Sequence, residues 1–153
     1  MATHFFSYQR RGLSILLAWG SGNAAAGVPL LLSRDELVRQ FGLQTLIWGT
    51  IDAALALAGR YSAQQKAERY ERGELDTQAE LQEARTLRRI LLVNAGLDVG
   101  YVLGGTWAMR AFPDRRDRRG MGLGIVVQGL FLLIYDSLFA WDLSRRWLKQ
   151  PPA

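Results

Sequence analysis

The sequence predicts an all-α, polytopic membrane protein, a four-transmembrane-helix bundle built from two tandem helical-hairpin repeats. The first reason is where the charges lie. Of the 153 residues 22% are charged and the mean hydropathy is near zero, values that an ordinary soluble domain also has. The charges gather at 34–39, 60–89, 110–119 and 142–149, leaving apolar stretches at 12–33, 41–59, 90–110 and 120–141. The second reason is length: each stretch reaches or approaches the ~20 residues that cross a ~30 Å hydrocarbon layer at 1.5 Å per residue. The third is the lack of a repeating polar face, which the helices of a soluble bundle would carry. Segments two to four hold only one or two strongly polar residues each.

Composition also excludes whole classes of chemistry. With no cysteine there is neither a disulfide nor a thiolate metal site. His4 is the sole histidine and stands outside the apolar segments, so histidine-ligated haem and a Ser-His pair within the membrane are ruled out. No cofactor is expected. A net charge of +5 would suggest nucleic acid in a soluble protein. Here the basic residues flank apolar segments, where arginine meets lipid phosphate, so the expected partner is the lipid bilayer and not nucleic acid.

The first segment follows MATHFFSYQRR. Arg10 and Arg11 before LSILLAWG, then GNAAAG, imitate a cleavable signal, but apolar character resumes with VPLLL and points to a retained span. Pro29 should kink this helix or mark its last turn. Ser33 and Glu36 fit a capping box ahead of segment two, which places Asp52 at its middle. From Tyr61 to Arg89 the chain is strongly polar, with Glu68 and Arg72 at i,i+4 and a second capping box from Thr77 to Glu80. Two helical extensions meeting near Gly73 would project ~15–20 Å beyond the membrane as a charged hairpin. Such a hairpin at 60–89 could dock a membrane-complex partner or a second copy in a homo-oligomer, although a solvated charged face is the commoner reason for such a run. Segment three, LLVNAGLDVGYVLGG, carries Asn94 and Asp98, with Gly96, Gly100 and Gly104 at every fourth position. Segment four carries Gln128 and Asp136 and leaves through Trp141, Arg145, Arg146 and Trp147, an interfacial anchor ahead of Pro151 and Pro152. Counting lysine and arginine alone, an inside N-terminus puts twelve of the nineteen on the inner side, which favours N-in, C-in. Four arginines within 115–119 oppose that count.

The chain also aligns with itself. ILLAWGSGN (15–23) matches ILLVNAGLD (90–98), and FGLQTLIWG (41–49) matches MGLGIVVQG (121–129). Units with an even number of spans enter the membrane from the same side, so the pseudo-axis would run along the membrane normal. The alignment pairs Trp19 with Asn94, Asn23 with Asp98 and Trp48 with Gln128.

These polar side chains can converge on one interior, since lipid-facing placement would leave each unsatisfied. As structure alone they would form interhelical hydrogen bonds, while Gly96, Gly100, Gly104, Gly49 with Ala53, and Gly20 with Ala24 allow helices to approach closely. Each bond contributes only ~0.6–2 kcal/mol, so one or two suffice as glue. Three mid-membrane acids exceed that need, and no lysine or arginine lies mid-span to neutralise them. The candidate site is therefore a polar core of Asn23, Asp52, Asn94, Asp98, Gln128 and Asp136 that binds or conducts a proton, a metal cation or an organic cation. Trp19, Trp48, Tyr101 and Tyr135 could line it with cation–π contacts, or simply pack. The alternative is a non-catalytic accessory or scaffold subunit. Tyr135-Asp136 and Gly96-Leu97-Asp98 faintly resemble the motifs of intramembrane aspartyl proteases, but Leu97 replaces a glycine, the order is reversed and the chain is far shorter, so no catalytic residue is assigned.

The motifs NAGLDVGYVLGG, QGLFLLIYD and WGTIDAALALAGR resemble a family of small bacterial four-helix membrane proteins of unknown function, from about Leu16 to Trp141. The resemblance implies four spans in a bacterial cytoplasmic membrane and no particular activity. It marks Trp48, Asp52, Asn94, Asp98, Gln128 and Asp136 as signature positions.

Overall fold

Two helices in this chain start at short polar side chains that satisfy the free amides of a first turn. The computed structural model describes residues 4–148 and comprises α1 (Phe5–Leu30), α2 (Glu36–Glu71), α3 (Thr77–Ala111), α4 (Arg116–Leu143) and a closing π-helical turn (Ser144–Leu148). No strand occurs among the described residues. Lys149, Pro151 and Pro152 lie outside them. All four helices are long and apolar enough to cross a membrane, by length and composition.

Both expected capping boxes give way to an aspartate one or two residues away. Asp35 caps α2, accepting from the Leu37 amide at 2.9 Å, and Ser33 Oγ accepts from the Asp35 amide at 3.2 Å. Asp76 caps α3, accepting from Ala79 at 2.8 Å. Glu80, freed from that duty, accepts from the Phe5 amide at 2.9 Å in a buried contact. A carboxylate is favoured there because the first amides of α1 point outward with the positive end of the helix dipole.

That bond, with the His4 ring nitrogen accepting from the Ser7 amide at 3.3 Å, supports a start of α1 at Phe5, about two turns before the apolar stretch at 12–33. Phe5 and Phe6 are fully buried against Ala67, Ala84 and Leu143, with Trp147 packed beside them. The base of the charged hairpin is thus covered by residues from both ends of the chain. The hairpin itself turns at Gly73, whose φ of 73° suits a residue without Cβ. Lys66 and Glu83 bridge its two arms at 2.6 Å. Pro29 falls in the last turn of α1, where only one residue of the helix follows it.

α1 packs along α2, α3 along α4, and α4 also lies against α2. Backbone contact makes these seams. A Cβ on Gly20 would sit 2.5 Å from the Ala53 nitrogen, and one on Gly49 2.5 Å from the Ala24 nitrogen, as the Gly20–Ala24 and Gly49–Ala53 spacing predicts. Between α3 and α4 the equivalent pair is Gly105 with Gly122. Gly96, Gly100 and Gly104, expected to serve close approach, meet nothing within 4 Å. The reason is rotation: at 3.6 residues per turn Gly96 and Gly100 lie about 200° round the helix from the buried Asp98.

Candidate functional site

α2 presents Trp48 and Asp52 one turn apart, and α3 presents Asn94, Asp98 and Tyr101 within two turns, so each set shares a face. With Asp136 and Leu132 of α4 and Leu16 of α1 behind them, they line a cavity of about 230 Å³. Its outer wall is Ile51, Leu55, Leu97 and Tyr101, which are exposed on the side of the bundle. The cavity therefore opens sideways between α2 and α3, about midway along the apolar segments.

The three acids are buried: Asp52, Asp98 and Asp136 are 3%, 2% and 4% exposed. Gln128, equally buried, connects one of them to the far side of the bundle. Its Nε2 donates to Asp52 Oδ2, while its Oε1 accepts from Trp19 Nε1 at 3.1 Å. Trp19 is fixed in turn by stacking on Phe131, with centroids 3.8 Å apart and planes within 7°. Asp52 thus has a defined donor. Asp98 Oδ2 is buried with no hydrogen-bond partner. No arginine or lysine lines the cavity.

Of the ten residues singled out from the sequence, six line the cavity: Trp48, Asp52, Asn94, Asp98, Tyr101 and Asp136. Trp48 and Tyr101 meet edge-to-face at 5.3 Å. Gln128 stands behind as the partner of Asp52. Trp19, Tyr135 and Asn23 do not reach the cavity. Asn23 donates to the Trp19 carbonyl at 2.8 Å inside α1, and Tyr135 donates to the Gly12 carbonyl at 3.1 Å, pinning α4 to α1. Leu16, Ile51, Leu55, Leu97 and Leu132 are the lining residues not among those candidates; an aliphatic side chain in an apolar helix carries no signal of its own.

Among the described residues no three histidine or acidic side chains form a group able to hold one metal ion. The arrangement can instead balance a diffuse positive charge between carboxyls and aromatic rings, or pass a proton between acids. At the charged end of the bundle the chemistry differs. Tyr8 donates to Asp142 Oδ2 at 2.9 Å and Arg146 to its Oδ1 at 2.8 Å. The Arg146 guanidinium, more than the Tyr8 hydroxyl, holds the Asp142 carboxyl below the usual carboxylate range.

A family model described as a family of unknown function (DUF6992) matches residues 15–137, which span the cavity, all of α2 and α3 and most of α1 and α4. No curated protein and no solved structure matches the chain.

Proposed function

We propose a function from the premise that the chain belongs to this family of unknown function, DUF6992: it is an integral membrane protein of four spans that binds or conducts a cationic species through Asp52, Asp98 and Asp136. A bacterial cytoplasmic membrane with both ends inside is the setting this reading takes.

The observation that carries it is the convergence of three buried carboxyls on one cavity that no basic side chain lines. Buried acid in an apolar bundle is expensive unless something positive, or a proton, shares the site. The unpartnered Oδ2 of Asp98 is where that need is greatest. Of the cations open to it, a small organic ammonium suits the cavity best. Hard metal ions ask for several oxygens at once, whereas Trp48 and Tyr101 add ring faces and edges to the carboxyls. The sideways opening would admit an amphipathic cation from the bilayer itself.

The test uses protein reconstituted in liposomes, with radiolabelled tetraethylammonium and, separately, a pH dye trapped inside. Wild-type protein should show saturable tetraethylammonium binding or flux, and Asp98→Asn, folded by circular dichroism, should lose most of it. Wild-type vesicles that respond to neither tetraethylammonium nor a proton gradient would sink the reading.

A further inference from the structure

Arg10 and Arg11 of α1 and Arg60 of α2 surround a cavity of about 290 Å³, whose wall is completed by Ser7 and Ser14. No carboxylate lines it, and among the described residues none of the three guanidiniums joins an ion pair. Arg60 is held in place: it donates to Ser14 Oγ, which itself donates to the Arg10 backbone carbonyl at 2.9 Å. Like charges brought together repel unless an anion sits among them. Guanidinium forks backed by hydroxyls are the donors that fit phosphate oxygens.

Arg11 also forms the rim of a second cavity, about 580 Å³, that runs between α1 and α4 over Ile15, Phe131, Ile134 and Leu138. Ile15, Ile134 and Leu138 are each more than half exposed, at 58%, 57% and 59%. From Asp142 to Phe131 this groove is ~16 Å long at 1.5 Å per residue, a length that suits an extended acyl chain. A cationic pocket and an apolar groove that share one arginine together match a molecule with an anionic head and an apolar tail.

We infer that this corner of the bundle is a binding site for one anionic phospholipid, its phosphate held by Arg10, Arg11 and Arg60 and one acyl chain laid in the α1–α4 groove. The inference rests on the four helices being membrane spans. It takes nothing from the acidic cavity, so a failure of cation binding leaves it standing.

The experiment is native mass spectrometry of the detergent-purified full chain, titrated with phosphatidylglycerol, phosphatidylcholine or inorganic phosphate. The expected result is a single phosphatidylglycerol adduct, with phosphatidylcholine binding weaker by roughly tenfold because its choline ammonium sets a positive charge beside the three guanidiniums. R10Q/R60Q should weaken the phosphatidylglycerol adduct by a similar factor, and R34Q/R119Q, which removes the same charge at the other end, should leave it unchanged. I134W fills the groove from an exposed position and should weaken the lipid adduct even if the arginine variant fails to fold. Equal loss in R34Q/R119Q would show diffuse charge attraction instead of a site. Phosphate competing at the concentrations of the lipid, or an I134W adduct of wild-type strength, would remove the acyl chain from the account and overturn it. Protein that stays in the aqueous fraction without detergent would overturn the membrane reading itself.

Discussion

Glu80 shows how much a single side chain can do when its expected partner is taken. A capping box would have kept it within α3; Asp76 caps that helix, and Glu80 reaches across to the Phe5 amide in a buried site. Removing it leaves a buried donor without a partner, a loss of about 1–3 kcal/mol. Glu80→Ala should therefore speed hydrogen exchange at the amides of residues 5–8 while leaving the middle of α1 unchanged, and unaltered exchange at the start of α1 would refute the contact. At this scale legibility depended on rarity. Asp52, Asp98 and Asp136 stood out because acids are uncommon in apolar helices, and the structure brings all three to one cavity. Trp19 and Tyr135, which could have lined the cavity or simply packed, stack on Phe131; an aromatic ring looks the same in a sequence in either place.

The seams between elements were half legible. Gly20 and Gly49 sit where their spacing with Ala24 and Ala53 implies, because each pair shares a face with its neighbour's backbone. The more conspicuous run at Gly96, Gly100 and Gly104 misled, since spacing reveals that glycines share a stripe but not which way the stripe points. Asp98 fixes the inward face of α3, and that face carries Leu91, Ala95 and Gly105. Alanine substitution separates the two groups. Gly49→Ala places its methyl 2.5 Å from the Ala24 nitrogen and 2.7 Å from the Gly20 carbonyl oxygen, so it should destabilise by about 1–3 kcal/mol. Gly100→Ala meets open space and should be neutral or stabilise by up to ~1 kcal/mol through helix propensity. Thermal unfolding in one detergent, followed by circular dichroism, would rank the two; the reverse order would refute this account of the seams.

For the whole molecule, four long helices were readable from the gaps between charge clusters, because the length of an apolar run is a property of sequence alone. The start of α1 was not, since it depends on Glu80 and on the aromatic packing of Phe5 and Phe6 some 75 residues away in the chain. Orientation can be tested directly because the chain has no native cysteine. With N-in, C-in topology, Arg72→Cys in intact bacterial cells should resist a membrane-impermeant maleimide and Asp114→Cys should react; the opposite pattern would invert the bundle. The clasp of Phe5 on Glu80 and Leu143 also sets an order of assembly. On the ribosome the first hairpin can form as soon as α2 emerges, yet the amide of Phe5 has no acceptor until Glu80 is made, and its ring is only partly covered until Leu143 and Trp147 follow. Closure of the bundle is therefore a late event in biogenesis, and a chain stalled before Leu143 would display two half-covered phenylalanines to the cell's quality-control machinery.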